Sequence, residues 1–545
     1  MARQQLQMLA QIGLPVLVVG LVVSPPSGAS RSAGPHQHLP NATDGVPSFP
    51  ATLGTLHHRI STDSAPGQHL FDRALTMYYG FNRDAAQRTF ARAATLDPRA
   101  AMPQVGIALA RGPNLNMDAT PSDVRAACDA SRDAVRLAAD SGERRYADAV
   151  VARYCTVDGQ VNARAYADKM RGLAHTLDGD LDASVLYADS LLQIRPRTPE
   201  QDDEIVSVLE STLHRDAMHV GANHLYIHAV EGSTTPMRAL ESARRLETLV
   251  PGIGHLLHMP SHVYMRVGDY DASIRMNARA VSADFWYLQH NPPGDDGAMY
   301  YIHDLESLAV ADAFDGRFAE AQSAAREFAR VEAGLAGDLT PQRFSAPLAV
   351  VLMRFHAWTE VLALGAPSRD DPFALMLSSF ARAQASLALD QSARARQERD
   401  AFDAAAAYMP ATATFRGNPI ERVVAVFRAV LAARFIQAER GLTASVESWR
   451  QAVAAEELLD YHEPPPFYYP TRESLGAALF AARQFDQAER VFRADLARNP
   501  GNGRSLFGLW QALLAMRRTV DAERAHAMFR RAWRHADAQL SIADL

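Results

Sequence analysis

The stretch from Ser474 to Pro500, SLGAALFAARQFDQAERVFRADLARNP, decides the fold. Apolar and small residues recur at helical spacing, first over Leu475, Gly476 and Leu479, then over Ala488 and Phe492. That is the period of two successive helices rather than of strands, and Pro500 closes the second. Small residues at Gly476 and Ala488 let the paired helices approach closely, and a large one such as Phe492 fills the gap to the next pair. The same offsets return in HLFDRALTMYYGFNRDAAQRTFARAATLDP (69–98), with Ala86, Phe90, Ala93 and Pro98. They return again in HVYMRVGDYDASIRMNARAVSAD (262–284), with Tyr264, Gly268, Tyr270 and Ala280. No sustained alternation of period two is found after residue 67, and breakers such as Asp97-Pro98 and Asn499-Pro500-Gly501-Asn502 punctuate the helices.

These offsets resemble the tetratricopeptide repeat (TPR), a 34-residue helix–turn–helix unit. The resemblance spans residues 67–537, with degenerate units over 120–200 and 340–460. It implies an all-α repeat solenoid, wound into a superhelix with a concave groove. The chain divides, on this reading, into a signal peptide (1–29) and a disordered linker (30–66) rich in Ser, Pro, Gly and Asn. N-terminal repeats (67–215), His-rich repeats (216–335), degenerate repeats (336–460) and C-terminal repeats (461–545) follow. The signal is the run Ile12 to Val23 after Arg3, with small residues at Ser27-Gly28-Ala29. The run is too short for a comfortable membrane span of about 20 residues, so the expected location is periplasmic or extracellular, an uncleaved anchor being the alternative.

Composition removes several functions. Lys+Arg is 55 against Asp+Glu 62, a net charge of −7, whereas nucleic-acid binding usually needs a basic face. Lys169 is the only lysine and no Gly-rich loop adjoins it. A Walker-type loop, a kinase site and a Schiff-base enzyme each need a placed lysine. Two cysteines, Cys128 and Cys155, are too few for an iron–sulfur cluster or an all-cysteine zinc site. They suit either a disulfide in an exported chain or two buried thiols. No serine nucleophile elbow or dinucleotide fingerprint is present.

Nine of the 19 histidines fall between residues 214 and 303, about one-sixth of the chain. His224, His228 and Glu231 stand at i, i+4 and i+7 in GANHLYIHAVE. His255, His258 and His262 stand at i, i+3 and i+7 in GHLLHMPSH, and His303 and Glu306 at i and i+3 in YYIHDLE. At about 100° per residue each set occupies an arc of roughly 60°. The sets are in register: His224 to His258 and His228 to His262 are both one repeat length apart. Gly268 and Gly316, taken as the glycines before the second helix of their repeats, put all of them on first helices. By the tetratricopeptide resemblance, those positions face the concave groove. Packed helices lie about 8–10 Å apart, so imidazoles from neighbouring first helices can meet one ion at about 2.0–2.1 Å.

The expected metal ligands are therefore His224, His228, His255, His258, His262 and His303, with Glu231 and Glu306 as further ligands or catalytic general bases. His214, His219 and His290 stand outside the pattern. A histidine-rich site without thiolate suits copper, zinc or iron; Met259 and Met265 tilt the choice toward copper, though methionine is more often core filler. Two functions stay open. One is a metal-dependent oxidase or hydrolase; the other is an interaction scaffold or metal-handling module without turnover, whose groove takes a peptide or small molecule.

Several stretches resemble a group of bacterial tetratricopeptide proteins with a shared histidine signature: FNRDAAQRTFARAATLDPRAAM, ALARGPNLN, HVGANHLYIHAVEGS, PGIGHLLHMPSHVYMRVGDY, YYIHDLE and EPPPFYYPTRESLGAALFAARQFDQAERVFRADLARNPGNGRSLFGLWQAL. The resemblance implies the architecture and the ligand set, but no reaction. The chain departs from the group at Arg83 and Glu306, where the group has histidine, and at Phe467, where it has tryptophan. Glu306 can still ligate; Arg83 cannot. The Pro-rich loop EPPPFYYPTR places Glu463, Tyr468, Tyr469 and Arg472 as a groove cover or an inter-repeat spacer. Asn114 and Asn116 in GPNLN read as turn residues.

Overall fold

The computed structural model describes residues 46–292, 297–334, 347–365, 367, 371–468 and 470–545. The expected signal (1–29), the first part of the expected linker and Tyr469 lie outside these. Among the described residues 24 α-helices follow one another, from Ala65–Tyr79 to Thr519–Ala532. The only strands there are the two-residue pair Thr414–Phe415 and Asn418–Pro419. None of the described helices is long and apolar enough to cross a membrane.

One turn recurs between paired helices. A residue with positive φ stands at Phe81, Gly268, Gly316, His356, Asp390, Arg483 and Arg517. The amide of the next residue then donates back to the first helix: Asn82 to Met77, Asp269 to Tyr264, Arg317 to Asp312, Ala357 to Leu352, Gln391 to Ser386, Gln484 to Leu479 and Arg518 to Leu513, all at 2.8–3.0 Å. This six-to-one bond is the Schellman closure of a helix end. Its repetition makes the chain a helix–turn–helix repeat protein. At Gly268 (φ 79°) a Cβ would stand 2.1 Å from the Pro500 carbonyl oxygen, so close backbone approach requires glycine there.

The described residues form two compact units, one of residues up to Ala183 with 283–298, the other of 184–282 with 299–545. In the first unit the Phe90 ring lies where a Cβ on Gly106 would stand 2.5 Å away, and a disulfide joins Cys128, on the helix Pro121–Leu137, to Cys155, which caps the end of the helix Ser141–Tyr154. From Val46 onward the expected linker packs into this unit. Val46, Phe49, Leu53 and Ile60 are buried, and Phe49 lies 5.1 Å from the Tyr287 ring. Polar composition hides these few, irregularly spaced apolar anchors.

His58 ties the same segment down. Its Nδ1 lies 2.9 Å from Asp182 Oδ2, and Tyr79 Oη donates to Asp182 Oδ1 at 2.6 Å. Burial works against protonation of His58, but Asp182, Asp180 and Asp72 outweigh it and raise its pKa. A raised histidine stabilises fully below its unfolded value of about 6.5, and loses that contribution as pH rises through the folded value. Amide protection over residues 46–60, corrected for the intrinsic base-catalysed exchange rate, should therefore fall as the pH rises above about 6.5. His58→Gln should remove the dependence; an unchanged pH profile in that variant would disprove it.

In the second unit Phe492 is fully buried between two glycines. Its ring would lie 2.4 Å from a Cβ on Gly476 and 2.2 Å from one on Gly508. Gly476→Ala overpacks this seam and should cost about 1–3 kcal/mol, measured as a fall in urea midpoint at unchanged slope. Deeper in the unit, Glu473 joins Arg354 and Arg504 at 3.2 and 2.8 Å, all buried.

Candidate metal centre

Three helices of the second unit carry the histidines. His224 and His228 lie on Val220–Val230, His255, His258 and His262 on Gly254–Val267, and His303 on Gly297–Asp315. Glu231 caps the end of the first of these helices. Every residue from Gly254 to Tyr264 is buried, and His224 and His258 are fully so. His224, His255, His258 and His262 therefore sit inside packed helices, and His228 and His303 are partly buried. Pro260 stands inside the helix between His258 and His262. It removes a backbone donor, a disruption of about 3 kcal/mol in an ordinary helix interior.

The six imidazoles form two triads, His224/His228/His255 and His258/His262/His303, and within each triad one ligand atom per residue lies within 4.8 Å of the others. In the second triad, His258 Nε2 is 2.7 Å from His262 Nε2 and 3.1 Å from His303 Nε2. The opposite nitrogens are anchored. His258 Nδ1 donates to Asn277 Oδ1 at 2.7 Å, with Asp304 Oδ1 3.4 Å away. His262 Nδ1 donates to Glu231 Oε2 at 2.5 Å. With a proton on each Nδ1, both Nε2 atoms direct lone pairs at one point. Two lone pairs this close repel unless a proton or a metal cation lies between them.

Electrostatics follow from burial and neighbours. Burial, with His262 beside it, holds His258 well below the ordinary histidine value; burial and the adjacent imidazoles do the same for His303 and His255. These rings are neutral and keep a lone pair for a ligand. Burial lowers His262 too, but Glu231 outweighs it and raises His262. Burial alone would raise Glu231, yet His262 and His228 bring it well below the usual carboxylate range.

Glu231 touches both triads, through Oε1 to His228 Nδ1 at 3.0 Å and through Oε2 to His262 Nδ1. Glu306 is placed differently. One of its oxygens pairs with the Arg416 guanidinium at 2.5 Å and accepts from the Tyr468 hydroxyl, all three residues buried. It belongs to neither imidazole triad. Met259 is core, and Met265 packs against Tyr270, Val310, Phe314 and Tyr468. His219 caps the helix Val220–Val230, accepting from the Ala222 amide at 3.3 Å. His290 stacks on Trp286. Asn114 turns its own loop, accepting from the amides of Asn116 and Met117. Arg83 belongs to the other unit.

The Pro-rich loop flanks the cluster. Tyr461 Cδ1 would lie 3.1 Å from a Cβ on Gly232, next to Glu231, and Arg266 lies over the Tyr461 ring. Tyr461 donates to Glu463 at 3.1 Å, and burial raises the Glu463 carboxyl. Arg472 pairs with Glu457, and Phe467 and Tyr468 line a small apolar cavity. Asn277, Asp304, Arg416 and Tyr461 escaped the sequence reading. Only Asp304, the residue after His303, carried a signal there.

No family model matches the chain, and no curated protein does. Among solved structures it is similar to the crystal structure of the yeast Tom70, at 13% identity and a TM-score of 0.31. The match covers 87% of this chain and 92% of that one. The fold is read from the chain's own recurring turns.

Proposed function

We propose that this helical repeat protein binds a transition-metal ion through Nε2 of His258, His262 and His303. The observation that carries the reading is the convergence of these three nitrogens, two of them with the opposite Nδ1 already anchored. A tetrahedral ion at about 2.0–2.1 Å from each nitrogen spaces them about 3.3 Å apart. His262 and His303 then have to move out to that spacing from 2.7 and 3.1 Å on either side of His258, and their own ligand atoms, within 4.8 Å of each other, have to close to it. Asn277 and Glu231 set tautomer and ring orientation, the role that outer partners of metal-bound histidines play. The all-nitrogen donor set suits zinc, copper, iron or nickel. Bound there, such an ion supplies a Lewis acid or redox chemistry, the basis for a hydrolase or oxidase.

Both Glu231 oxygens are engaged by imidazoles, the place of a residue that orients metal ligands. Asn277→Leu keeps the volume and removes the acceptor from His258 Nδ1. It should weaken binding about 10–100-fold, read by competition of zinc against a chromophoric chelator. Unchanged affinity would remove Asn277 from the centre. Failure of the parent to take up any of the four ions would overturn the reading in favour of a polar recognition surface.

A further inference from the structure

We infer that the chain takes two ions, the second on His224, His228 and His255, and that Glu231 couples them. The inference rests on the metal reading above and adds a second site to it. The His224/His228/His255 triad has the same construction as the His258/His262/His303 triad. Two of its imidazoles come from one helix at i, i+4 and the third from the next histidine-bearing helix, with ring centres 4.9, 5.0 and 6.2 Å apart. Its ligand atoms meet the same 4.8 Å convergence. Three imidazoles that bring one ligand atom each within 4.8 Å of one another can close on one cation.

The link is a single carboxylate. Glu231 Oε1 orients His228 of one triad and Oε2 orients His262 of the other, at 3.0 and 2.5 Å. Each ion would draw the same negative charge toward its own histidine. The two triads also adjoin directly, His255 against His258 and His228 against His262, with ring centres 6.0 Å apart in both pairs. A change at Glu231 must therefore reach both sites, whereas loss of one ligand should empty its own triad first.

The test is the zinc stoichiometry of the tag-free full chain after saturation and desalting, for the parent, His255→Asn, His303→Asn and Glu231→Leu, each checked for parental helicity. About two equivalents in the parent and about one in either histidine variant is expected, and Glu231→Leu should weaken both sites about 10–100-fold. One equivalent in the parent, lost in His303→Asn and kept in His255→Asn, would overturn the second site and leave the first standing. No zinc in the parent, with copper, iron and nickel equally absent, would instead overturn the metal reading itself. Two equivalents with only one site weakened in Glu231→Leu would refute the coupling. Should a histidine variant not fold, cobalt spectra of the parent distinguish one site from two by the number of absorption steps on titration.

Discussion

His258→Ala is expected to abolish metal binding at the second triad while leaving the helices in place. His258 is the ring on which that triad centres, since both other Nε2 atoms approach its own. Removing it deletes a ligand, so the loss should exceed the roughly 10–100-fold that outer-shell changes cause. Stability gives a second readout. An ion that binds only the folded chain adds about 2.7 kcal/mol when present at a hundred times its dissociation constant. The parent should therefore melt higher with zinc than without, and the variant should lose most of that difference. Its metal-free melting temperature should shift less, because truncation also removes the close contact between nitrogens. Equal metal content and an equal zinc-induced shift in parent and variant would take His258 out of the centre.

The second large effect lies at Glu306. Arg416 and Tyr468 hold its carboxylate in the interior. Arg416→Met leaves that charge buried without its guanidinium and should cost about 3–5 kcal/mol. Glu306→Leu should cost a similar amount by stranding Arg416. The double variant replaces the pair with apolar groups and should be far less destabilised than the sum of the singles. Urea denaturation of all four proteins measures the coupling. Additive losses would mean that the pair contributes nothing as a pair, and would reopen a catalytic role for Glu306.

The histidine register was legible because it depends only on spacing. His224, His228, His258 and His262 repeat at one repeat length, and two successive first helices bring them side by side. The helix pairs at Ser474–Pro500 were legible for the same reason. The recurring turn was not, because five of its seven positions carry Phe81, His356, Asp390, Arg483 and Arg517 where glycine is the usual signal. Burial of the cluster was not legible either. The loop that flanks it, around Tyr461, stands some 200 positions beyond His258, and local patterning carries no record of such a contact. Glu306 shows the same limit, for its partner Arg416 lies 110 residues away. A carboxylate at i+3 from a histidine reads as a ligand until a distant guanidinium claims it.

The most direct test of the central claim is X-ray absorption at the edge of the bound ion, in the full-length His255→Asn chain loaded with one equivalent of zinc or copper. Three histidine nitrogens at about 2.0–2.1 Å, with the outer-shell scattering of imidazole rings and no sulfur, is the predicted result. A shell made of oxygen, or one with fewer than two imidazoles, would contradict a metal centre built on His258, His262 and His303.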